Sequence, residues 1–251
     1  DINFFDEIFN IPIHDSLLPN ISILTPTFNR KKFLPLMLYN IYHFTYPKEK
    51  IEWNILESND NSLNNYEKLF NDKSGIIDLE NSLGIKINYE YKDYEMSIGK
   101  KRNWLSNTSS HGYLINMDDD DLYLPTYLNH SIDILMNMDK DITGSLDMLF
   151  IYPQKDYQMS FIRCVKDYRL YHEATLCMKK SYFMHCKQYE DSSKGEGQNI
   201  YKNHKSKCGN SDITKCMICV CWDGNTVNKD KFLDNKINMN IQGDSLNILK
   251  K

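Results

Sequence analysis

Tyr113-Leu-Ile-Asn-Met-Asp-Asp-Asp-Asp-Leu-Tyr-Leu-Pro125 decides how the chain is read. Tyr113 to Met117 reads as a short buried strand, because apolar and strand-favouring residues run together and then stop. Asp118, Asp119, Asp120 and Asp121 therefore stand at the carboxyl end of a strand, the edge where open α/β sheets bind ligands. Four adjacent carboxylates repel one another, and folding does not require them there. A divalent cation relieves the repulsion, and hard oxygen ligands suit Mg²⁺ or Mn²⁺. The competing reading is a solvated acidic turn before a helix, with Asp121 near its N-terminus. The apolar strand in front and Leu122-Tyr-Leu-Pro125 behind favour a fixed, partly enclosed position.

Working outward toward the N-terminus, the same grammar recurs. Ile21 to Leu24 reads as a strand that breaks at Thr25-Pro-Thr-Phe-Asn-Arg30, where Pro26 is expected to end ladder pairing. Leu34, Met37, Leu38, Ile41 and Tyr42 recur at helical spacing. Trp53 to Glu57 reads as a second strand and Ser58 to Ser62 as a turn. Asp60, Asn61 and Ser62 are N-cap candidates for a run toward Phe70. Ile85 to Tyr91 reads as a third strand, and Gly99 to Leu105 opens a further helix. Such alternation predicts an α/β fold with a mostly parallel, twisted, doubly wound sheet flanked by helices, whose loops converge on one crevice. Residues 1–19 are expected to pack outside it as an arm.

Beyond Pro125 the pattern loosens. A helix is predicted from Tyr127 to Met138, then strands at Met148 to Tyr152, Phe161 to Val165 and Thr175 to Met178. Glu190 to Gly197 reads as a mobile polar loop, Gln198 to Lys205 as a short helix, Lys215 to Trp222 as a strand, and the tail from Asn235 as weakly structured. With no repeat or low-complexity linker, the expectation is a single domain over 1–251 with a functional boundary near 125.

Composition narrows the classes. The 251 residues are 41% hydrophobic with a net charge of -4, enough for a core and without the basic surface that a nucleic-acid partner needs. No apolar run has the roughly 18 residues of a membrane span, and no signal peptide is visible at the start. Seven cysteines point to reduced thiols in a cytosol-like, cytoplasmic compartment. Cys208, Cys216, Cys219 and Cys221 fit a small apolar role better than a zinc site. An EF-hand fails at Tyr123 and Asn129, where Gly and Glu are required.

A strand-edge crevice holding a divalent cation suits a diphosphate. Asp60 can accept hydrogen bonds from a base or ribose, Thr25 and Thr27 offer hydroxyls, and Lys100, Lys101 and Arg102 offer charge to phosphate. No Gly-x-Gly-x-x-Gly motif and no P-loop occurs. The ordered set Ile21 to Arg30, Asn59-Asp-Asn-Ser62, Gly99-Lys-Lys-Arg-Asn103 and Asp118 to Pro125 resembles the family 2 glycosyltransferases of the GT-A fold, over about residues 20–135.

The resemblance implies transfer of a sugar from a nucleotide diphosphate, most often a UDP-sugar, to an acceptor hydroxyl of a glycan, protein or small molecule, with inversion. It divides the chain into a nucleotide-sugar-binding half (about 20–125) and an acceptor half (about 126–251). The family's Asp-x-Asp falls on Asp118-Asp119-Asp120, with Asp120 on Mn²⁺ or Mg²⁺ and Asp118 and Asp119 near ribose and phosphate. Thr25, Pro26, Thr27, Asn29, Arg30 and Asp60 would hold the nucleoside side, and Gly99, Lys101, Arg102 and Asn103 the donor beside them. Asn59 stands where many relatives carry a first aspartate. The catalytic base is expected in a loop before a late helix, at Glu196 or Asp191, with Glu196 favoured because a helix starts at Gln198. His172 would line the acceptor side. Cys219 to Thr226 lacks the metal-binding histidine of some relatives, so the cation would depend more on the donor's diphosphate. A nucleotidyltransferase and a non-catalytic sugar-nucleotide-binding module are the competing classes. Products separate them: free UDP from glycosyl transfer, pyrophosphate from nucleotidyl transfer, and neither from a binding module.

Overall fold

The computed structural model describes residues 17–60, 66–163, 171–186, 188–202, 205–226, 229–234, 236–237 and 248–249. Of the arm expected over 1–19, residues 1–16 lie outside the described residues, as do the caps Asn61 and Ser62, while Leu18 is buried in the core. The first half alternates β1 (Ile21–Thr27), α1 (Leu34–His43), β2 (Ile51–Ser58), α2 (Lys73–Leu83), β3 (Lys86–Lys92), α3 (Ile98–Thr108) and β4 (Tyr113–Asn116). The second half holds β5 (Leu122–Tyr123), α4 (Tyr127–Asn137), β6 (Ile142–Gly144), β7 (Met148–Tyr152), β8 (Gln158–Ile162), β9 (Cys177–Lys179) and α5 (Lys180–His185). It continues with α6 (Gln198–Tyr201), β10 (Cys208–Asn210), α7 (Ile213–Cys216), β11 (Met217–Val220) and β12 (Lys236–Ile237).

Seven strands form one sheet in the order β10-β6-β9-β4-β1-β2-β3. β4, β1, β2 and β3 are mutually parallel, and β9 runs antiparallel between β4 and β6. β1 and β2 are buried along their whole length, as strands covered on both faces must be. The chain leaves β1 toward β2 and β3 and returns on the other side of β1 as β4. Ligand crevices of open α/β sheets form at the carboxyl ends of strands where the order reverses in this way. A second sheet, β12-β8-β7-β11-β5, packs beside the first. One buried apolar cluster joins the two, from Ile23, Trp53 and Ile115 to Phe150, Ile151 and Ile218.

Several elements differ from the sequence expectation. β1 continues through Pro26, which pairs with Leu56. The Leu24 carbonyl accepts from Met117 N on the β4 side, so by alternation the missing N–H of Pro26 faces that side too, where β4 has already ended. The run expected toward Phe70 is not helical over residues 66–70, and the next described helix starts at Lys73, where Asp72 caps it through Gly75 N (3.1 Å). β8 lies at Gln158–Ile162, three residues earlier than read, and β9 covers Cys177–Lys179 after a 3₁₀ turn at Glu173–Thr175. The predicted strand at 215–222 is a short helix through Cys216 and then β11, and the helix after Gly197 stops at Tyr201. In the polar tail, Lys236–Ile237 pairs with β8. No described helix is long and apolar enough to cross a membrane.

At the amino edge of the sheet, the buried Glu52 carboxylate accepts from Ser22 Oγ (2.9 Å), Asn54 Nδ2 (2.8 Å) and Ser110 N (3.0 Å). Burial works against its charge, but the Ser110 amide and the Asn54 and Ser22 side chains outweigh it and hold the carboxyl at about 2. A depressed carboxyl stabilises the fold above its unfolded value of 4.5, and that contribution fades as pH falls through the folded value. Glu52→Gln is expected to cost about 1–2 kcal/mol at pH 7. The gap to the parent chain should narrow between pH 4.5 and 2, read by urea unfolding across that range.

Candidate functional site

A cleft of two joined chambers opens at the carboxyl ends of β1 and β4. The outer chamber, about 230 Å³, is lined by Pro26, Thr27, Arg30, Lys101 and Asp119. The inner chamber, about 150 Å³, is lined by Arg102, His172, Glu173, Glu196 and Lys229. Asp118, Asp120, Ser193 and Thr226 border both. A larger concavity of about 760 Å³ wraps the edge strand β3, but no buried unpartnered polar atom belongs to a residue lining it.

The four aspartates meet four different environments. Asp118 Oδ1 pairs with Arg102 Nη2 at 2.9 Å. Asp119 is buried, and burial with the like charge of Asp120 pushes its carboxyl up to about 8. Asp120 Oδ2 accepts from Trp222 Nε1 (2.9 Å) and Asn225 Nδ2 (3.1 Å), with Arg30 Nη1 3.5 Å away. Asp121 turns inward: its Oδ1 accepts from Val220 N at 2.9 Å, and burial pushes it up to about 7 against the pull of Lys229. The main chain here is held from α1. Asn40 Nδ2 donates to Asp121 O (2.9 Å), and Asn40 Oδ1 accepts from Tyr123 N (3.0 Å).

The cations come from three segments. Arg30 lies over the Trp222 ring at 4.4 Å and donates to Gly224 O at 3.0 Å. Lys101 is buried, donates to Thr27 O at 2.7 Å, and is pulled down to about 8 by burial. Arg102 is 2% exposed and joins Asp118 to Glu196, whose Oε1 lies 3.0 Å from its Nε. Burial disfavours its charge, but these two carboxylates hold it well above its ordinary value.

The loop 190–197, expected to be mobile, is stitched to the start of α3. Gly99 N donates to Ser192 O (2.9 Å), Ile98 N to Ser193 Oγ (3.2 Å), and Ser97 Oγ to Asp191 Oδ1 (2.7 Å). Asn103 clamps the main chain of Tyr189 in both directions at 2.9 Å. This loop leaves Asp191 on an exposed flank, paired with Lys100 at 2.8 Å, and turns Glu196 inward to 4% exposure.

Of the other predicted residues, Thr25 turns its hydroxyl to Trp53 Nε1 (2.9 Å) within the core and does not line either chamber. Asn29 forms the left-handed corner after β1 (φ 51) and is exposed. Asp60 is half-buried two residues beyond β2 and lines neither chamber. His172 is half-buried and lines the inner chamber, and enclosure of its ring lowers it to about 3, so it is neutral. Trp222, Asn225 and Lys229 were not singled out from the sequence. The run Cys219 to Thr226 drew notice only for lacking histidine, and nothing near Lys229 signals a site.

Nine buried side-chain polar atoms lack a hydrogen-bond partner among the described residues. Four of them line the cleft: Thr27 Oγ1, Arg30 Nη1, Arg102 Nη1 and His172 Nδ1. Two more, Ser58 Oγ and Asn59 Oδ1, sit at the end of β2. An orphaned buried polar group costs about 1–3 kcal/mol, and their concentration at one sheet edge makes that edge the candidate ligand-binding surface.

No family profile and no curated protein matches the sequence. Solved structures do share the fold. The mannosyltransferase PcManGT from Pyrobaculum calidifontis, in complex with GDP-Man and Mn²⁺, superposes over 89% of this chain and 61% of its own, with a TM-score of 0.57 and 13% identity. S. aureus TarS 1–349 in complex with UDP-GlcNAc superposes over 82% of this chain and 60% of its own, with a TM-score of 0.56 and 11% identity. This chain thus spans about 60% of the length of those structures. The fold is GT-A-like: a mostly parallel, helix-flanked sheet.

A Cβ at Gly99 would stand 1.7 Å from the Glu190 carbonyl oxygen, so the loop must retreat from any larger residue. Gly99→Ala is expected to cost about 1–3 kcal/mol. That is a Tm fall of roughly 2–4 °C per kcal/mol, with faster tryptic cleavage after Lys194. An unchanged Tm and cleavage rate would contradict the stitching.

Proposed function

We propose that the chain is a glycosyltransferase that moves a sugar from a nucleoside diphosphate to an acceptor hydroxyl. The observation that carries this reading is the row of buried, unpartnered donors and acceptors along a two-chamber cleft at the switch point of a GT-A-like sheet. The outer chamber, with Thr27, Arg30 and Lys101, suits the nucleoside diphosphate, a UDP-sugar by the sequence resemblance. The structures of PcManGT with GDP-Man and TarS with UDP-GlcNAc support a nucleotide sugar in general. The inner chamber then takes the sugar and the attacking hydroxyl of a glycan, protein or small molecule. Inversion rests on the sequence resemblance.

The residues fit a divalent cation held jointly with the donor. Asp120 Oδ1 makes no hydrogen bond among the described residues, while its Oδ2 is engaged by Trp222 and Asn225. No group of three His, Cys, Asp or Glu side chains that could hold a metal occurs among the described residues. One carboxylate, diphosphate oxygens and water are the usual set for Mg²⁺, and a similar set serves Mn²⁺. When bound, the cation neutralises charge on the departing diphosphate. Arg30 and Lys101 supply fixed positive charge on the same side. The proton acceptor belongs to the inner chamber, which Glu196 lines; Asp191 lies on the exposed flank.

A thermal-shift screen of UDP- and GDP-sugars with and without Mn²⁺ tests the donor. A ligand at 100 times its Kd stabilises by about 2.7 kcal/mol, a rise of roughly 5–10 °C here. Asp120→Ala should remove the Mn²⁺-dependent part of the rise and reduce transfer at least about 100-fold, with the unliganded Tm little changed. Wild-type turnover in that variant would remove Asp120 from the reaction.

A further inference from the structure

We propose that Glu173, rather than Glu196 or Asp191, takes the proton from the acceptor hydroxyl, with Glu196 fixed beside it by Arg102. This rests on the glycosyl-transfer reading and names the working acid on the acceptor side of the same cleft. Three carboxylates compete for the role, and two are already committed. Asp191 is 61% exposed, paired with Lys100 and Ser97, and lines neither chamber. Glu196 is bound to the fully enclosed Arg102 guanidinium, so protonating it would leave a buried cation with one fewer counter-charge.

Glu173 lines the inner chamber with Asp118 and Asp120, and its carboxylate makes no ion pair or hydrogen bond to another side chain among the described residues, accepting only from its own main-chain N–H. Its position is nonetheless fixed. A Cβ at Gly197 would stand 2.9 Å from Glu173 Cγ, so the glutamate stem fills the space that a side chain at 197 would need. The Glu173 carbonyl accepts from Asn116 Nδ2 (2.8 Å) and Leu176 N (3.2 Å). Ala174 O accepts from Tyr123 OH (3.0 Å), the same hydroxyl that receives Asp118 N (2.8 Å). The turn carrying Glu173 is thereby tied to the acidic loop, the rigid support that a reacting group requires.

The groups facing it are Glu196, Arg102 and Asp118, with Tyr201 of α6 beside the pair of glutamates and His172, neutral, on its own turn. Burial, then the like charge of Glu196, push the Glu173 carboxyl up to about 7, with its own main-chain N–H and then Arg102 opposing. A general base works best when its pKa is near the working pH. In the step, the acceptor O–H breaks and its proton passes to the Glu173 carboxylate. The freed oxygen pair bonds the anomeric carbon, and the carbon–oxygen bond to the diphosphate breaks, the pair leaving with it. Glu173 then returns the proton to water.

The test compares wild type, Glu173→Gln and Glu173→Asp. Free nucleoside diphosphate release is followed from a panel of UDP- and GDP-sugars with Mn²⁺ and simple sugars or water as acceptor, and donor Kd is measured by calorimetry. Glu173→Gln should lower kcat at least about 100-fold, with donor Kd within about threefold and the limb of the pH profile near 7 lost. Glu173→Asp should recover part of the rate. Glu173→Gln with kcat near wild type and an unchanged pH profile overturns the inference. So does a raised Kd at unchanged kcat, which makes Glu173 a donor-binding group. A wild-type chain that neither binds nor turns over any donor is a different result, and refutes the glycosyl-transfer reading beneath.

Discussion

Four carboxylates in succession cannot all stay charged in a partly enclosed loop unless each finds its own compensation. The segment from Asp118 to Asp121 meets this constraint by splitting the four. Asp118 takes a guanidinium, Asp120 takes an indole and an amide N–H, and Asp121 takes a main-chain amide. Asp119, enclosed and pushed up, resists ionising. The compensating groups come from α3, from the segment after β11 and from β11 itself. The acidic run therefore dictates where those distant parts of the chain must lie.

The two sheets meet at this run. β4, before it, belongs to the seven-stranded sheet, and β5, after it, pairs antiparallel with β11 in the other. That pairing sets where β11 ends, and Trp222 follows two residues later within reach of Asp120. Arg102 makes the second junction. Its single buried charge is shared by the β4 end and the 190–197 loop, so loss of either carboxylate unbalances the other. The polar loop is thus a wall of the cleft.

The cleft gives up stability for readiness. Arg102 Nη1 and His172 Nδ1 are desolvated without hydrogen-bond partners, and Arg30 Nη1 has only the 3.5 Å approach of Asp120, which a core selected for stability alone would avoid. Donors fixed ahead of a ligand need little reorganisation when charge arrives, the property that makes preorganised sites effective. Lys101 fits the same logic: burial weakens its hold on a proton, and an anionic ligand would restore it.

By itself the sequence determined most of the alternation of strand and helix through Pro125, because β1 to β4 and α1 carry apolar runs or periods, and it offered Asp118 to Asp120 and Arg102 as candidate donor-side residues. It left α2 unread: Ile76, Leu79 and Leu83 recur at helical spacing and pack against the core, but none of the helix's residues is fully buried and the stripe is short. Pro26 misled because a single strand does not reveal that its missing donor faces a neighbour already ended. Tertiary structure alone decided that Asp120 belongs with Trp222 and Asn225, 102 and 105 residues away. It also decided that Gly99 exists to admit the Glu190 carbonyl, and that Glu173 lies over Gly197 while Asp191 faces outward. Apolar periodicity is local and survives in any short window of sequence. Which carboxylate is paired, buried or left open depends on partners brought together only when the sheets close.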